Sequence, residues 1–354
     1  MKFSKRLKAI VAAAVVSVNM FSLVGCGSST QDGKHQRIIR IALSQNEDHP
    51  QYKALKEFEK YVEDRTDGKF DVQIYPNELL GATVQSLELT QTGAVDLSVI
   101  GIGVLEAFNS AYTVFNLPYL MDNVEHYHAV MEDNEIMEPV YESTKDSGFV
   151  GLTWFDAGVR NMYTTKKPIN TPDDLVGLKI RVQPSPTNVK MLEAFNASAT
   201  PMSFGEVYTG LQQGVIDGAE NNELALINNK HGEVAKYYSY TMHLMQPDIL
   251  VVSTSLLDSL TPEEQQIFRE AADHASVYEE KLWSDAAEAC KKQAEEEMGV
   301  QFIYPDTKPF QEKMQSLYTE YRKDPNIDAM YTKIREKGDE IAAESNSTSS
   351  DSNK

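Results

Sequence analysis

Two arginines carry the chemistry this sequence offers. Arg160 follows the apolar run Phe149 to Phe155 through Asp156-Ala157-Gly158-Val159. Arg181 sits inside Leu178-Lys179-Ile180-Arg181-Val182-Gln183, where Leu178, Ile180 and Val182 face one way and Lys179, Arg181 and Gln183 the other. Of the other arginines beyond the first 25 residues, those at 37, 65, 269, 322 and 335 lie in or beside strongly polar or charged stretches, and Arg40 falls within the alternating strand Ile38 to Leu43. A guanidinium among apolar strands demands a partner. A carboxylate fits its planar fork best, through two parallel hydrogen bonds. That carboxylate belongs either to a small-molecule ligand or to the chain itself, with Asp156 and Glu220 as internal candidates.

Catalytic constellations are missing at the required spacing. Gly101-Ile102-Gly103 lacks a third glycine, and the sequence contains no Gly-Lys-Ser/Thr phosphate loop, no His-Glu-x-x-His and no Gly-x-Ser-x-Gly elbow. His126 and His128, two apart on an expected helix, fall on different faces, so no joint metal site is expected and both read as surface residues. Cys290 reads as a small packed residue of a long helix. The expectation is a binding protein with no catalytic residue, no metal and no cofactor.

The elements around the arginines are legible from their punctuation. Thr171-Pro172-Asp173-Asp174 opens a short helix with an N-cap, a first-position proline and two carboxylates at the positive end of the dipole, and Gly177 ends it. The Arg181 strand follows and breaks at Pro184-Ser185-Pro186. Helical patterns run from Asn188 to Phe195 and from Ser203 to Gly214, the second with Ser203 and Glu206 as a capping box. A strand Val215-Ile216-Asp217 then runs into Gly218-Ala219-Glu220-Asn221-Asn222. Strand, helix, helix, strand is a parallel crossover, and ligands bind beyond the carboxyl ends of such strands, where Gln183 to Ser185 and Glu220 to Asn222 emerge.

Earlier, Ile38 to Leu43 alternates as a first strand, and its loop presents Gln45, Glu47 and His49, polar groups able to pair with hydroxyls. A helix from Tyr52 to Glu63, a strand from Phe70 to Tyr75, a helix from Thr83 to Thr90 and a strand after Gly93 continue the alternation. Leu89 to Asp96 echoes Leu211 to Asp217: in both, a helix closes at Gly and a strand begins with a hydrophobic pair and Asp. Phe149 to Phe155 and Ile249 to Thr254 are further strands, and the chain crosses between lobes near Gly158. Thr261-Pro262-Glu263-Glu264 opens a helix uninterrupted by Gly or Pro until Gly299, which is ~37 residues and ~55 Å at 1.5 Å per residue. A strand at Gln301 to Tyr304 and helices at Phe310 to Tyr321 and Ile327 to Ile341 follow. Residues 342–354 are a polar tail expected to be disordered.

At the other end, Lys2, Lys5, Arg6 and Lys8 precede an apolar run from Ala9 to Val18, too short to span a bilayer comfortably, and then Leu23-Val24-Gly25-Cys26. The last four resemble a bacterial lipobox, which implies cleavage of residues 1–25, a lipid on Cys26 and a flexible tether over 26–36. The leader removes four positive charges and no negative ones, so the remainder carries −24 where the whole chain carries −20. Such a chain repels nucleic acid and anionic headgroups, so no nucleic-acid partner is expected and an anionic ligand needs a local positive site. With two cysteines, one claimed by lipid, no disulfide framework is available. Stability must come from a buried core, which roughly 300 ordered residues supply as two domains.

Four stretches together resemble one family. They are Asp156-Ala157-Gly158-Val159-Arg160, Thr171-Pro172-Asp173-Asp174-Leu175-x-Gly177-Leu178-Lys179-Ile180-Arg181-Val182-Gln183, Pro201-Met202-Ser203-Phe204-Gly205-Glu206-Val207-Tyr208, and Leu211-Gln212-Gln213-Gly214-Val215-Ile216-Asp217-Gly218-Ala219-Glu220-Asn221-Asn222. In order and spacing, from about Ile38 to Ile341, they are similar to the solute-binding proteins of tripartite ATP-independent periplasmic (TRAP) transporters of the DctP type. The resemblance implies an α/β, two-lobed, periplasmic-binding-protein-like (type II) fold with hinge strands and a long helix spanning both lobes. It places lobe I at 37–157 and 246–283, and lobe II with the C-terminal helices at 158–245 and 284–341. It also implies closure on an organic acid.

Carried over by motif, the carboxylate-binding arginine falls on Arg181, a second arginine on Arg160, the motif asparagine on Asn221 and the aromatic on Phe204. Ser185 follows the arginine strand. Glu220 and Asp156 complete the expected site, with Gln45 and His49 from the first loop. Where sialic-acid-binding members carry an acidic contact, this chain has Ile100-Gly101-Ile102-Gly103, and its arginine motifs are closer to members linked to uronates and other sugar acids. The implied function is an extracytoplasmic receptor, membrane-anchored through Cys26, that captures a uronate or related sugar acid and hands it to TRAP permease subunits. A C4-dicarboxylate receptor, a ligand-presenting sensor subunit of a membrane kinase and, less favoured for want of a nucleophile, a surface hydrolase are the alternatives.

Overall fold

The computed structural model describes residues 36–351, so the leader, Cys26 and all but the last residue of the tether lie outside it, as do 352–354. Eleven strands occur among the described residues: β1 Arg37–Ala42, β2 Phe70–Tyr75, β3 Leu97–Gly101, β4 Phe149–Phe155, β5 Val159–Thr164, β6 Lys179–Val182, β7 Ser198–Pro201, β8 Gly218–Asn221, β9 Tyr237–Met245, β10 Asp248–Ser253 and β11 Gln301–Ile303. They form two sheets, of order β2-β1-β3-β10-β4 and β11-β9-β5-β8-β6-β7.

In the first sheet β1 runs parallel to β2 and β3, with helices Pro50–Arg65 and Thr83–Gln91 as crossovers. Ile39 and Ile41 of β1 alternate into a core with Leu55, Phe58 and Val62 of the first helix. In the second sheet β6 runs parallel to both β7 and β8, so the expected crossover between the Arg181 and Glu220 strands is present.

Three local expectations differ. β8 starts at Gly218, because Gly214 closes the preceding helix at φ +70° and Val215, half exposed, is still in the turn. Ser203 makes no capping bond to the backbone; its hydroxyl donates to the Glu206 carboxylate, and a 3-10 turn Phe204–Glu206 precedes the helix Val207–Gln212. Strands β7 and β9 are additional to the strands expected from the sequence.

Three segments join the sheets: Asp156-Ala157-Gly158 from β4 to β5, Gln246-Pro247 from β9 to β10, and the helix Pro262–Met298. Gly158 sits at φ +64°, and a Cβ there would lie 2.8 Å from Cζ2 of Trp283 on the long helix, so only glycine lets the crossing pass. That helix has the expected capping box, Thr261 with Glu264, and stops at Gly299 with φ +66°. Its first half packs Phe268, Ala271, Ala272 and Ala275 into the core of the first sheet, and Ala294 enters the core of the second.

The C-terminal region departs from its expected outline. Phe310 to Tyr321 divides into helices Lys308–Lys313 and Gln315–Tyr321, packed on the second sheet. The last helix, Pro325–Asp351, continues past Ile341 because no Gly or Pro after Gly338 interrupts it. It packs Ile327 and Ile334 into the core of the first sheet, so these residues join lobe I and not lobe II. The same helix covers His126, which is 1% exposed with Nε2 2.8 Å from the Ile334 carbonyl and is no surface residue. Cys290 is buried, as its helical position suggested, and burial pushes its thiol up to about 11.

Candidate functional site

The carboxyl ends of β1, β3, β6 and β8 face a cleft of about 570 Å³ between the two sheets, a volume suited to a small molecule. Of the sequence-derived candidates, Gln45, His49, Arg160, Arg181, Phe204 and Asn221 line it. Ser185, Glu220 and Asp156 do not.

The two arginines are in register with neighbours on their sheet: Arg181 pairs with Thr200 of β7 and Ala219 of β8, and Arg160 with Leu244 of β9. Each is 3% exposed, yet they are compensated differently. The Arg160 Nε and Nη2 donate to the two Glu220 carboxylate oxygens, the Nη2 bond to Oε1 at 2.8 Å, and Nη1 donates to Asn221 Oδ1 at 2.9 Å. Burial pushes the Glu220 carboxyl upward, but Arg160 overcomes it and holds Glu220 at about 2. Of the two readings left open by the sequence, Arg160 takes the internal one.

Arg181 has no such partner. Its Nε and Nη2 donate to the Met202 carbonyl at 3.0 and 2.8 Å, and no carboxylate of the described residues lies within salt-bridge distance. Burial lowers its pKa most, against the attraction of Glu220. The Phe204 ring lies 5.7 Å from the guanidinium carbon. Phe204 meets His231 edge-on, and His231 stacks on Tyr163, which stacks in turn on Tyr238. This aromatic column fixes one wall beside Arg181. His231 and Tyr163 are site-supporting residues that the sequence pattern did not single out.

Asn221 accepts from Arg160 and from Asn222 N with its Oδ1, which leaves its amide Nδ2 as the group facing the cleft. On the opposite wall His49 Nδ1 accepts from Gln51 N at 3.2 Å, so the ring proton sits on Nε2; burial, then Lys53, lowers the ring to about 3 and keeps it neutral. Gln183, at the strand edge where ligands are expected, also lines the cleft, as do Gln51, Asp248 and Trp283, which did not stand out as site residues in the sequence. Their clue lay in position: Gln51 follows the His49 loop, and Asp248 opens a strand at the hinge.

The remaining candidates serve the frame. Ser185 caps the helix Pro186–Ala194 by accepting from Asn188 N, and its hydroxyl donates to Glu106 Oε1 of the first lobe at 2.6 Å. Asp156 accepts from Gly158 N at 2.7 Å and bonds His128 Nε2 at 2.8 Å on the far side of the hinge.

A profile of the DctP family, described as bacterial extracellular solute-binding protein, family 7, matches residues 41–324. A solved TRAP periplasmic solute-binding protein from Anaerococcus prevotii, with bound alpha/beta D-glucuronate, superposes with a TM-score of 0.85 at 48% identity, covering 86% of this chain and 99% of that one. One from Xanthobacter autotrophicus Py2, with bound beta-D-galacturonate, gives 0.81 at 38% identity over 84% and 98%. A solute-binding protein of Chromohalobacter salexigens is 36% identical over 290 residues, 81% of this chain and 86% of its own length.

Proposed function

The chain belongs to the DctP family of bacterial extracellular solute-binding proteins, and from that premise we propose that it is the TRAP receptor for a hexuronate, whose carboxylate is received by Arg181. One observation carries the residue assignment: Arg181 is a buried guanidinium on the wall of the cleft with only a main-chain carbonyl for a partner, in a chain of strongly negative charge. A ligand carboxylate supplies what the fold withholds. Arg160, locked to Glu220, holds the Asn221 amide in place and contributes its edge to the same wall. Phe204 closes over the sugar face, and the neutral His49 with Gln45 meets hydroxyls.

Two relatives with bound glucuronate and galacturonate support the ligand class. Delivery to membrane permease subunits and anchoring through a lipid on Cys26 are part of the same proposal. Calorimetric titration with D-glucuronate, D-galacturonate and succinate tests it. Saturable one-to-one binding of a uronate, without turnover, is expected, and binding of succinate alone would replace the uronate by a C4 diacid.

A further inference from the structure

The two walls of the cleft differ in what they ask of a ligand. The second-lobe wall offers donors and positive charge in Arg181, Arg160 and the Asn221 amide, with one carboxylate, Glu206, already taken by the Ser203 hydroxyl. The first-lobe wall and the hinge beside it offer acceptors. Gln51 is 1% exposed and its Nε2 donates to Asp248 Oδ2 at 2.7 Å, which fixes the amide so that Oε1 is the free end. That oxygen is buried without a partner. Asp248, partly buried, adds a carboxylate whose pKa burial raises, and exposed Glu88 adds another at the rim. No lysine or arginine lines the first-lobe side.

Unpaired buried acceptors are costly until a donor reaches them. A hydroxyl can donate to them. A carboxylate has only acceptors and adds like charge against Asp248 and Glu88. We infer that this cleft selects acids with one carboxylate and a hydroxylated far end, and rejects the corresponding diacids, through the acceptor pair of Gln51 and Asp248. His49, a neutral donor, offers no charge to offset a second carboxylate. The inference rests on the carboxylate being received at Arg181 and adds the specificity of the opposite wall.

Calorimetric titration of the whole protein with D-glucuronate, D-gluconate and D-glucarate tests it. Gluconate shares the open chain of glucarate and lacks its second charge. Glucarate is expected to bind at least ~10-fold more weakly than gluconate, and Asp248→Asn to narrow that gap; a folded Asp248→Asn variant with the gap unchanged overturns the inference. A gap under ~10-fold in the wild type overturns the inference whether or not the variant folds. If gluconate is rejected along with glucarate while glucuronate binds, ring closure sets the selection and the inference is overturned. If no acid in the series binds, the receptor assignment itself falls.

Discussion

The Arg160 guanidinium and the Glu220 carboxylate, from adjacent strands β5 and β8, form a buried ion pair at 3% and 0% side-chain exposure. Its existence leaves Arg181, one strand further on, as the unpaired cation of the cleft. Replacing Arg160 by Ala leaves Glu220 charged and dry, and is expected to destabilise the fold by about 3–5 kcal/mol, whereas the joint change Arg160→Met with Glu220→Leu recovers most of that loss. Denaturant melts of both read the difference. Equal destabilisation by the single and double variants contradicts the pairing account.

Arg181→Ala is expected to weaken uronate binding by roughly 30-fold to several thousandfold, the equivalent of about 2–5 kcal/mol for removing one side of a desolvated charged contact. Arg181→Lys keeps the charge, loses the fork and also weakens binding. Calorimetry on variants shown to be folded by circular dichroism is decisive: wild-type affinity in the Ala variant removes Arg181 from the site.

Ser185 is expected to matter for stability and little for affinity. Glu106 accepts from Ser185 Oγ, Thr187 N, Thr187 Oγ1 and Asn116 Nδ2, three of these from the opposite lobe, so it fastens the start of the helix Pro186–Ala194. Ser185→Ala should cost about 1–2 kcal/mol of stability, as a lost cap and a lost bond to a buried carboxylate. Its dissociation constant for the uronate should stay within about twofold of wild type. A large loss of affinity at unchanged melting temperature would make Ser185 a ligand contact after all.

Acid should destabilise the protein well above the carboxylate range. His49 and His231 are both held at about 3, by burial first and then by Lys53 and Arg181 respectively. Their folded values lie below the ordinary 6.5, so the unfolded chain binds more protons between about 6.5 and about 3, and stability falls as pH drops through that window at up to ~1.4 kcal/mol per unit per histidine. Glu220, held at about 2, adds stability that is present above about 4.5 and lost toward 2. Thermal melts across pH 7 to 3 should slope accordingly, and His49→Asn should flatten the upper part. A melting temperature constant from pH 6.5 to 4 would falsify the neutral-histidine assignment.

Cys26 lies outside the described residues, and the proposal for it stands on Leu23-Val24-Gly25-Cys26 alone. Cys26→Ala should move the protein from the membrane fraction to the soluble fraction. Retention of the variant at the membrane with unchanged processing rules the lipid anchor out.

Where a few neighbouring residues decide the conformation, the sequence was enough. Thr261, Glu264 and Gly299 delimit the long helix, and Gly177 with the alternation after it delimits the Arg181 strand, because caps, turns and period-two burial act within a few positions. The family motifs likewise carried the two-lobed plan and four of the candidates that meet in the cleft, Arg160, Arg181, Phe204 and Asn221, while the polar loop after the first strand supplied Gln45 and His49.

Tertiary structure decided what depends on distant partners. β9 has a strand signal in its tyrosines, while the short, polar β7 exists only because β6 runs beside it. His126 is buried by a helix about 200 positions away. The choice between the two arginines is of the same kind. Both have apolar flanks, but strand order brings Glu220 to Arg160 and leaves Arg181 facing only a carbonyl and an aromatic ring, and no local pattern encodes which carboxylate a folded sheet will place against which guanidinium.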